Sequence, residues 1–320
     1  MNNRQTGILA ALASAFFLGM APVFGKQAIL AGLHWSGVVA LRTVFATLLL
    51  LLVIGLSNKR FLYIYPAGLL GCLLAGMING VGSLLYYGSL ARINASLGQL
   101  LYAMYPLFVL IWLWLDHQPP GWMTMLRLLL VIPGVYLLTR APFGNVDLVG
   151  VAMMLGSAAL YALHLPINQR VLYDMPAPTV TLYTLTAMSL VVVPAYFIST
   201  LAFGAPSITP LLSGESPVVW KAIIGLTLVT FFSRLTLFLG VKNLGGLQTA
   251  LLGIGELLVT LLFSHLMLGE RLTVTQWVGA GLLLTSLILI SVEKKTPRRY
   301  SGGWLSWLRP PDLPKDLPLP

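Results

Sequence analysis

Two apolar runs near the C-terminal end of the chain, residues 247–268 and 274–292, are separated only by Gly269-Glu270-Arg271-Leu272-Thr273. A helix needs roughly 20 apolar residues to cross a bilayer, and each run approaches that length. The first run carries a carboxylate, Glu256, at its centre, with about nine apolar or small residues on either side. A charge at that depth costs on the order of 2.5–3.5 kcal/mol on insertion scales, so it demands a partner, a proton or a water-filled cavity. The rest of the chain has to provide one of these.

The composition extends the argument to the whole chain. Of 320 residues, 58% are hydrophobic and 9% charged, whereas a soluble domain carries about 25% charged residues. So much apolar surface cannot be folded into one aqueous core, and the chain reads as an all-α integral membrane protein. The net charge of +10 comes mostly from basic residues between apolar runs and near the C-terminus. That pattern speaks for membrane topology and against nucleic acid as a partner. Cys72 is the only cysteine, which excludes an internal disulfide and a Cys-based metal site. No cofactor is expected.

Ten hydrophobic segments are predicted as transmembrane helices, at 6–26, 35–56, 65–91, 95–115, 121–139, 148–170, 177–200, 217–242, 247–268 and 273–292. The first reads as a retained helix, being long for a signal peptide. Very short connections, such as Arg92-Ile93-Asn94, force antiparallel neighbours. With both termini placed in the cytoplasm, the inner side receives Arg4, Lys59, Arg60, Arg127, Arg170, Lys242 and the basic cluster after residue 292. The outer side receives the smaller set Lys26, Arg42, Arg92, Arg140, Lys221 and Arg271. The positive-inside rule favours this orientation, in an inner (plasma) membrane. Residues 293–320 are basic and then Pro-rich, and are read as a cytoplasmic tail.

The chain also repeats itself. Residues 7–27 align without gaps on 150–170, pairing Gly7 with Gly150, Leu12 with Leu155, Ser14 with Ser157 and Ala15 with Ala158. Residues 92–115 align on 242–265, setting Pro106 opposite Glu256. The predicted organisation is therefore two five-helix repeats, 1–145 and 146–292. Five is odd, so the second repeat must run through the membrane in the opposite sense. Inverted-topology repeats place a site near the midplane between the halves.

Polar residues within the spans fall into stripes. Ser157, Tyr161, His164 and Asn168 share one face of span six; Asn79, Ser83 and Tyr86 one face of span three; Thr227, Thr230 and Arg234 one face of span eight; and Thr249, Gly253, Glu256, Thr260 and Ser264 one face of span nine. Such stripes face protein or water, not lipid. With Tyr102 of span four they are expected to converge on one cavity. At 1.5 Å per residue, Glu256 lies about 14 Å and Arg234 about 12 Å from the inner ends of their spans. An Arg234–Glu256 ion pair is therefore expected. Arg42, about 10 Å below the outer end of span two, either guides anionic groups inward, or snorkels to the interface or fixes a helix end. His164 either relays a proton or bonds a neighbouring helix. His265 falls on the face opposite Glu256.

The run Gly255-Glu256-Leu257-Leu258-Val259-Thr260, the hinge Leu268-Gly269-Glu270-Arg271-Leu272-Thr273 and the following Gln276-Trp277-Val278-Gly279-Ala280 resemble EamA-type members of the drug/metabolite transporter superfamily. Arg42 in Ala40-Leu41-Arg42 is similar to the arginine such proteins carry in span two. Tyr105-Pro106 and Ile132-Pro133-Gly134-Val135 form a degenerate copy in the first half. Where many relatives have Glu-Pro in span nine, this chain has Glu256-Leu257. The resemblance implies a secondary transporter that moves a small-molecule solute, an amino acid or related metabolite, outward across the lipid bilayer by alternating access. Proton coupling and simple facilitation are both compatible with it. On this reading Glu256 and Arg234 contact the solute, and Asn79, Tyr86, Tyr102, Tyr161, His164, Asn168 and Arg42 complete the site. The alternatives are a non-transporting membrane subunit and an enzyme modifying lipids or isoprenoids. The scattered acids disfavour the enzyme. No Walker-type loop, His-Glu-x-x-His or Gly-x-Ser-x-Gly motif is present.

Overall fold

The computed structural model describes residues 3–105, 147–204, 217–244 and 255–292 continuously, with scattered positions between them. Among the described residues the elements are α1 (Asn3–Leu30), α2 (Trp35–Ser57), a short 3-10 turn (Lys59–Leu62), α3 (Pro66–Leu90), α4 (Ala95–Tyr102), α5 (Leu148–Asp174), α6 (Ala177–Phe203), α7 (Pro217–Leu244), α8 (Gly255–Leu268) and α9 (Val274–Val292). Among the described residues there is no strand. Among the described residues, six helices (α1, α2, α3, α5, α6 and α7) are long and apolar enough to cross a membrane, while α8 is apolar but shorter. The chain is a multi-pass membrane protein. Most of predicted span five and the tail 293–320 lie outside the described residues.

The elements begin and end where the sequence provides for it. Pro66 opens α3 at a position where its missing N–H is not needed. Asp147 caps α5, its Oδ1 accepting from the amides of Val149 at 2.8 Å and Gly150 at 3.2 Å. Gly269 ends α8 with φ of +67°, a conformation that favours glycine.

Burial follows the logic of a bilayer. On α8 the polar positions Glu256, Thr260 and Ser264 are buried, while Leu258, Leu262 and Leu266 on the other side are 56–68% exposed. Lipid solvates leucine well, so the polar face is the one that must turn inward. Close crossings let it do so. At Gly19 of α1 a Cβ would come within 2.6 Å of the Glu256 carbonyl oxygen, and Thr260 Oγ1 donates to Gly19 O at 2.6 Å. Gly76 and Gly80 of α3 bring that helix equally close to Thr184, Ala187 and Val191 of α6.

The helix pairings occur in exchanged sets. As α1 packs on α7, so α5 packs on α3; as α1 touches α8, so α5 touches α4. The serines paired by the internal repeat make matching bonds: Ser14 Oγ donates to Ser233 O at 3.2 Å and Ser157 Oγ to Gly82 O at 2.8 Å.

Span nine differs from expectation. Residues 249 and 252 are helical, but the helix is broken at Gly253 and α8 follows from Gly255, so Glu256 lies in a first helical turn. A turn at Gly253 precedes it, with Glu256 N donating to Gly253 O at 2.8 Å. Span four likewise stops being α-helical at Tyr102 and turns at Ala103–Met104. The repeat alignment pairs Ala103 with Gly253, so the two interruptions correspond. No proline at position 257 is involved in the second.

Candidate functional site

Inside the bundle lies a small, partly open cavity of about 40 Å³, lined by residues of α1, α2, α3, α4, α5, α7 and α8. Leu18 and Ala21 of α1 supply an apolar wall. Every other lining group is polar, aromatic or glycine, and their positions follow from helical spacing. Asn79, Ser83 and Tyr86 project from successive turns of α3. Gln99 and Tyr102 lie three apart on α4, and Ser157 and Tyr161 four apart on α5.

Three charged side chains reach this cavity, and all are more than nine-tenths buried: Arg42 and Arg234 at 6% exposure and Glu256 at 4%. Arg42 extends from α2 over the ring of Tyr87, its Cζ 4.5 Å from the centroid. Its Nη2 donates to Ser83 Oγ at 3.1 Å and its Nη1 to Thr230 Oγ1 at 3.5 Å. Its Nε makes no hydrogen bond among the described residues. Arg42 therefore points inward, and the snorkelling alternative does not hold. Arg234 Nη2 donates to Asn79 Oδ1 at 3.4 Å. With that amide turned over, its oxygen accepts from Nη2 at 3.1 Å and Nη1 at 3.3 Å, which is the better arrangement.

The expected Arg234–Glu256 ion pair is not formed. Among the described residues the only salt bridge within 4.0 Å is Arg92–Asp147, at 2.8 Å near one end of the bundle. Arg234 is taken up by Asn79. Glu256 Oε2 instead accepts from Gln99 Nε2 at 3.3 Å, and Gln99 Oε1 accepts from Tyr86 OH at 3.0 Å. A neutral amide thus links the acid to the tyrosine wall. Both charges still line one cavity.

Of the nine residues anticipated for the site, seven line the cavity: Arg42, Asn79, Tyr86, Tyr102, Tyr161, Arg234 and Glu256. The other two do not. His164 is fully buried behind Tyr161, ring centroids 4.6 Å apart, with Nδ1 2.6 Å from Tyr161 O. Asn168 Nδ2 donates to His164 O at 3.2 Å and its Oδ1 accepts from Thr184 Oγ1 at 3.3 Å, so it ties α5 to α6. Gln99 and Tyr87 are lining residues that the polar stripes missed. Gln99 sits three before Tyr102, a spacing that would have revealed it. The rings of Tyr86, Tyr102, Tyr105 and Tyr161 form a continuous wall, with neighbouring centroids 4.9–5.9 Å apart. Among the described residues no His, Cys, Asp and Glu cluster is suited to a metal.

The EamA-like transporter family model matches the chain twice, over residues 5–140 and 148–292, and the chain belongs to that family. This membership points to a membrane transporter of small solutes and not to an enzyme. A solved crystal structure shares the fold, with a TM-score of 0.63 and 14% identity over 90% of this chain and 97% of that chain. No curated protein matches the sequence.

Proposed function

We propose that this protein is a secondary transporter that moves small organic solutes, amino acids or related metabolites, outward across the inner membrane by alternating access. Its ten spans form two oppositely oriented five-helix halves, residues 1–145 and 146–292, followed by a cytoplasmic tail, 293–320. The exchanged helix pairings and the matched Ser14 and Ser157 bonds support this organisation. The observation that carries the functional reading is the cavity, in which buried guanidinium and carboxylate groups from both halves meet. Keeping such groups at membrane depth is expensive, and a hydrated solute pathway is what makes them worth keeping. Glu256 is the site acid, holding the solute's polar end or a proton. The tyrosines shape the remainder of the pocket.

Reconstitution of the purified protein in liposomes, with a solute panel and with and without a pH gradient, tests this directly. We expect saturable flux that falls about tenfold or more in Glu256→Gln, in line with losing ~1.5 kcal/mol from one charge-assisted contact. Absence of flux for every solute would favour a non-transporting subunit. Unchanged flux and unchanged pH dependence in Glu256→Gln would remove the acid from the site.

A further inference from the structure

Arg42 and Arg234 are both buried, and all of their hydrogen-bond acceptors are neutral: Ser83 and Thr230 for the first, Asn79 for the second. Among the described residues neither guanidinium has a carboxylate within 4.0 Å. Their anchor points stack. Asn79 and Ser83 lie one turn apart on α3, and Thr230 and Arg234 one turn apart on α7, a rise on the order of 6 Å. Two cations are therefore set one above the other along the same wall. The cavity's acid, Glu256, is engaged by Gln99 and does not bridge them. Two positive groups against one negative leave the pocket with an excess of positive charge, and Arg42 Nε is a spare donor.

We propose that the cavity selects solutes carrying an oxyanion, a carboxylate in the simplest case, seated between Arg42 and Arg234. A guanidinium presents its N–H groups in a planar fork that fits two oxygens at once. The oxyanion supplies the acceptors that the neutral anchors do not, and the rest of the solute lies against Tyr102 and Tyr161. This deepens the transport reading and rests on it only for the translocation steps after binding.

The probes are four molecules with one phenyl ring and different end groups: 3-phenylpropionate, phenylalanine, phenethylamine and 3-phenylpropanol, with the same end groups on a butyl chain as a second set. Ligand-induced shifts in the unfolding midpoint of the purified protein report binding. The two acid-bearing probes should bind in at least one set, and the amine and alcohol of that set should bind about tenfold more weakly or worse. Arg42→Gln and Arg234→Gln should each abolish that preference, and Arg42→Lys should restore part of it. An amine that binds as well as the acid, a preference that survives both Gln variants, or no binding by any acid would overturn the proposal. If the variants do not purify as folded protein, the wild-type series alone decides. Liposome flux separates the two readings: acid binding without flux sinks transport and leaves the oxyanion seat, whereas flux of amines alone does the reverse.

Discussion

Gln99 joins Tyr86 to Glu256, with its amide oxygen toward the phenol and its amide nitrogen toward the carboxylate. A single side chain thereby satisfies two buried polar groups on two other helices. Gln99→Leu strips both of that partner, at about 1–3 kcal/mol for each group left unpaired. We expect a clear drop in the unfolding midpoint in detergent, together with lower solute flux. Seven of the nine anticipated site residues line the cavity because a polar side chain in an apolar helix has few places to go. The spacing could not say which partner each would choose. Asn79 takes Arg234 and Gln99 takes Glu256, where opposite charges on sequential spans suggested a direct pair. Asn168 satisfies itself on its own helix and on Thr184, an option every mid-helix amide has and no periodicity reveals.

At the scale of elements, charged residues hold the turn between α3 and α4 from two sides. Lys26 Nζ donates to the carbonyls of Leu90 at 2.6 Å and Ile93 at 2.9 Å, occupying acceptors at the end of α3. Glu270, from the loop after α8, accepts from Ala95 N at 2.9 Å and from Ser96 N and Oγ at 2.8 and 2.7 Å. It caps α4 from far along the chain. Glu270→Ala should accelerate hydrogen exchange at the first amides of α4 while leaving those of α6 unchanged. Nearby, Asp147 caps α5 and bonds Arg92, and this contact with Arg92 holds its carboxyl below the usual aspartate range. A depressed folded value means that the stabilisation is complete above the unfolded pKa of about 3.9 and fades as pH falls through the folded value. The unfolding midpoint of the wild type should thus lose this contribution on acidification below about pH 4, and Asp147→Ala should lack that part of the acid dependence. The hinge containing Glu270 was legible as a motif. Its grip on α4 was not, because the two segments meet only once the bundle is folded.

For the whole molecule, the ties sort themselves to two ends. Lys26, Leu90, Ile93, Ser96, Glu270 and the Arg92–Asp147 pair gather at one. Lys242 with Met175, Thr179 with Phe61 and Tyr183 with Leu62 gather at the other. This is the division that alternating spans require, and it was readable from run lengths and short loops alone. Orientation is tested in a Cys72→Ser background: a cysteine at Ala91 should react with a membrane-impermeant maleimide in intact cells, and one at Asn58 only after permeabilisation. The interruptions at Ala103–Met104 and Gly253 were hidden, since an unbroken apolar run looks the same whether or not its backbone bonds are continuous. They bear on how the molecule would work. A continuous helix swings as a rigid rod from one surface to the other. α4 and α8 touch each other, and each meets a turn inside the bundle within three residues of a side chain that lines the cavity, Tyr102 on one and Glu256 on the other, so both spans carry a break in their backbone bonding where the pocket's walls are set.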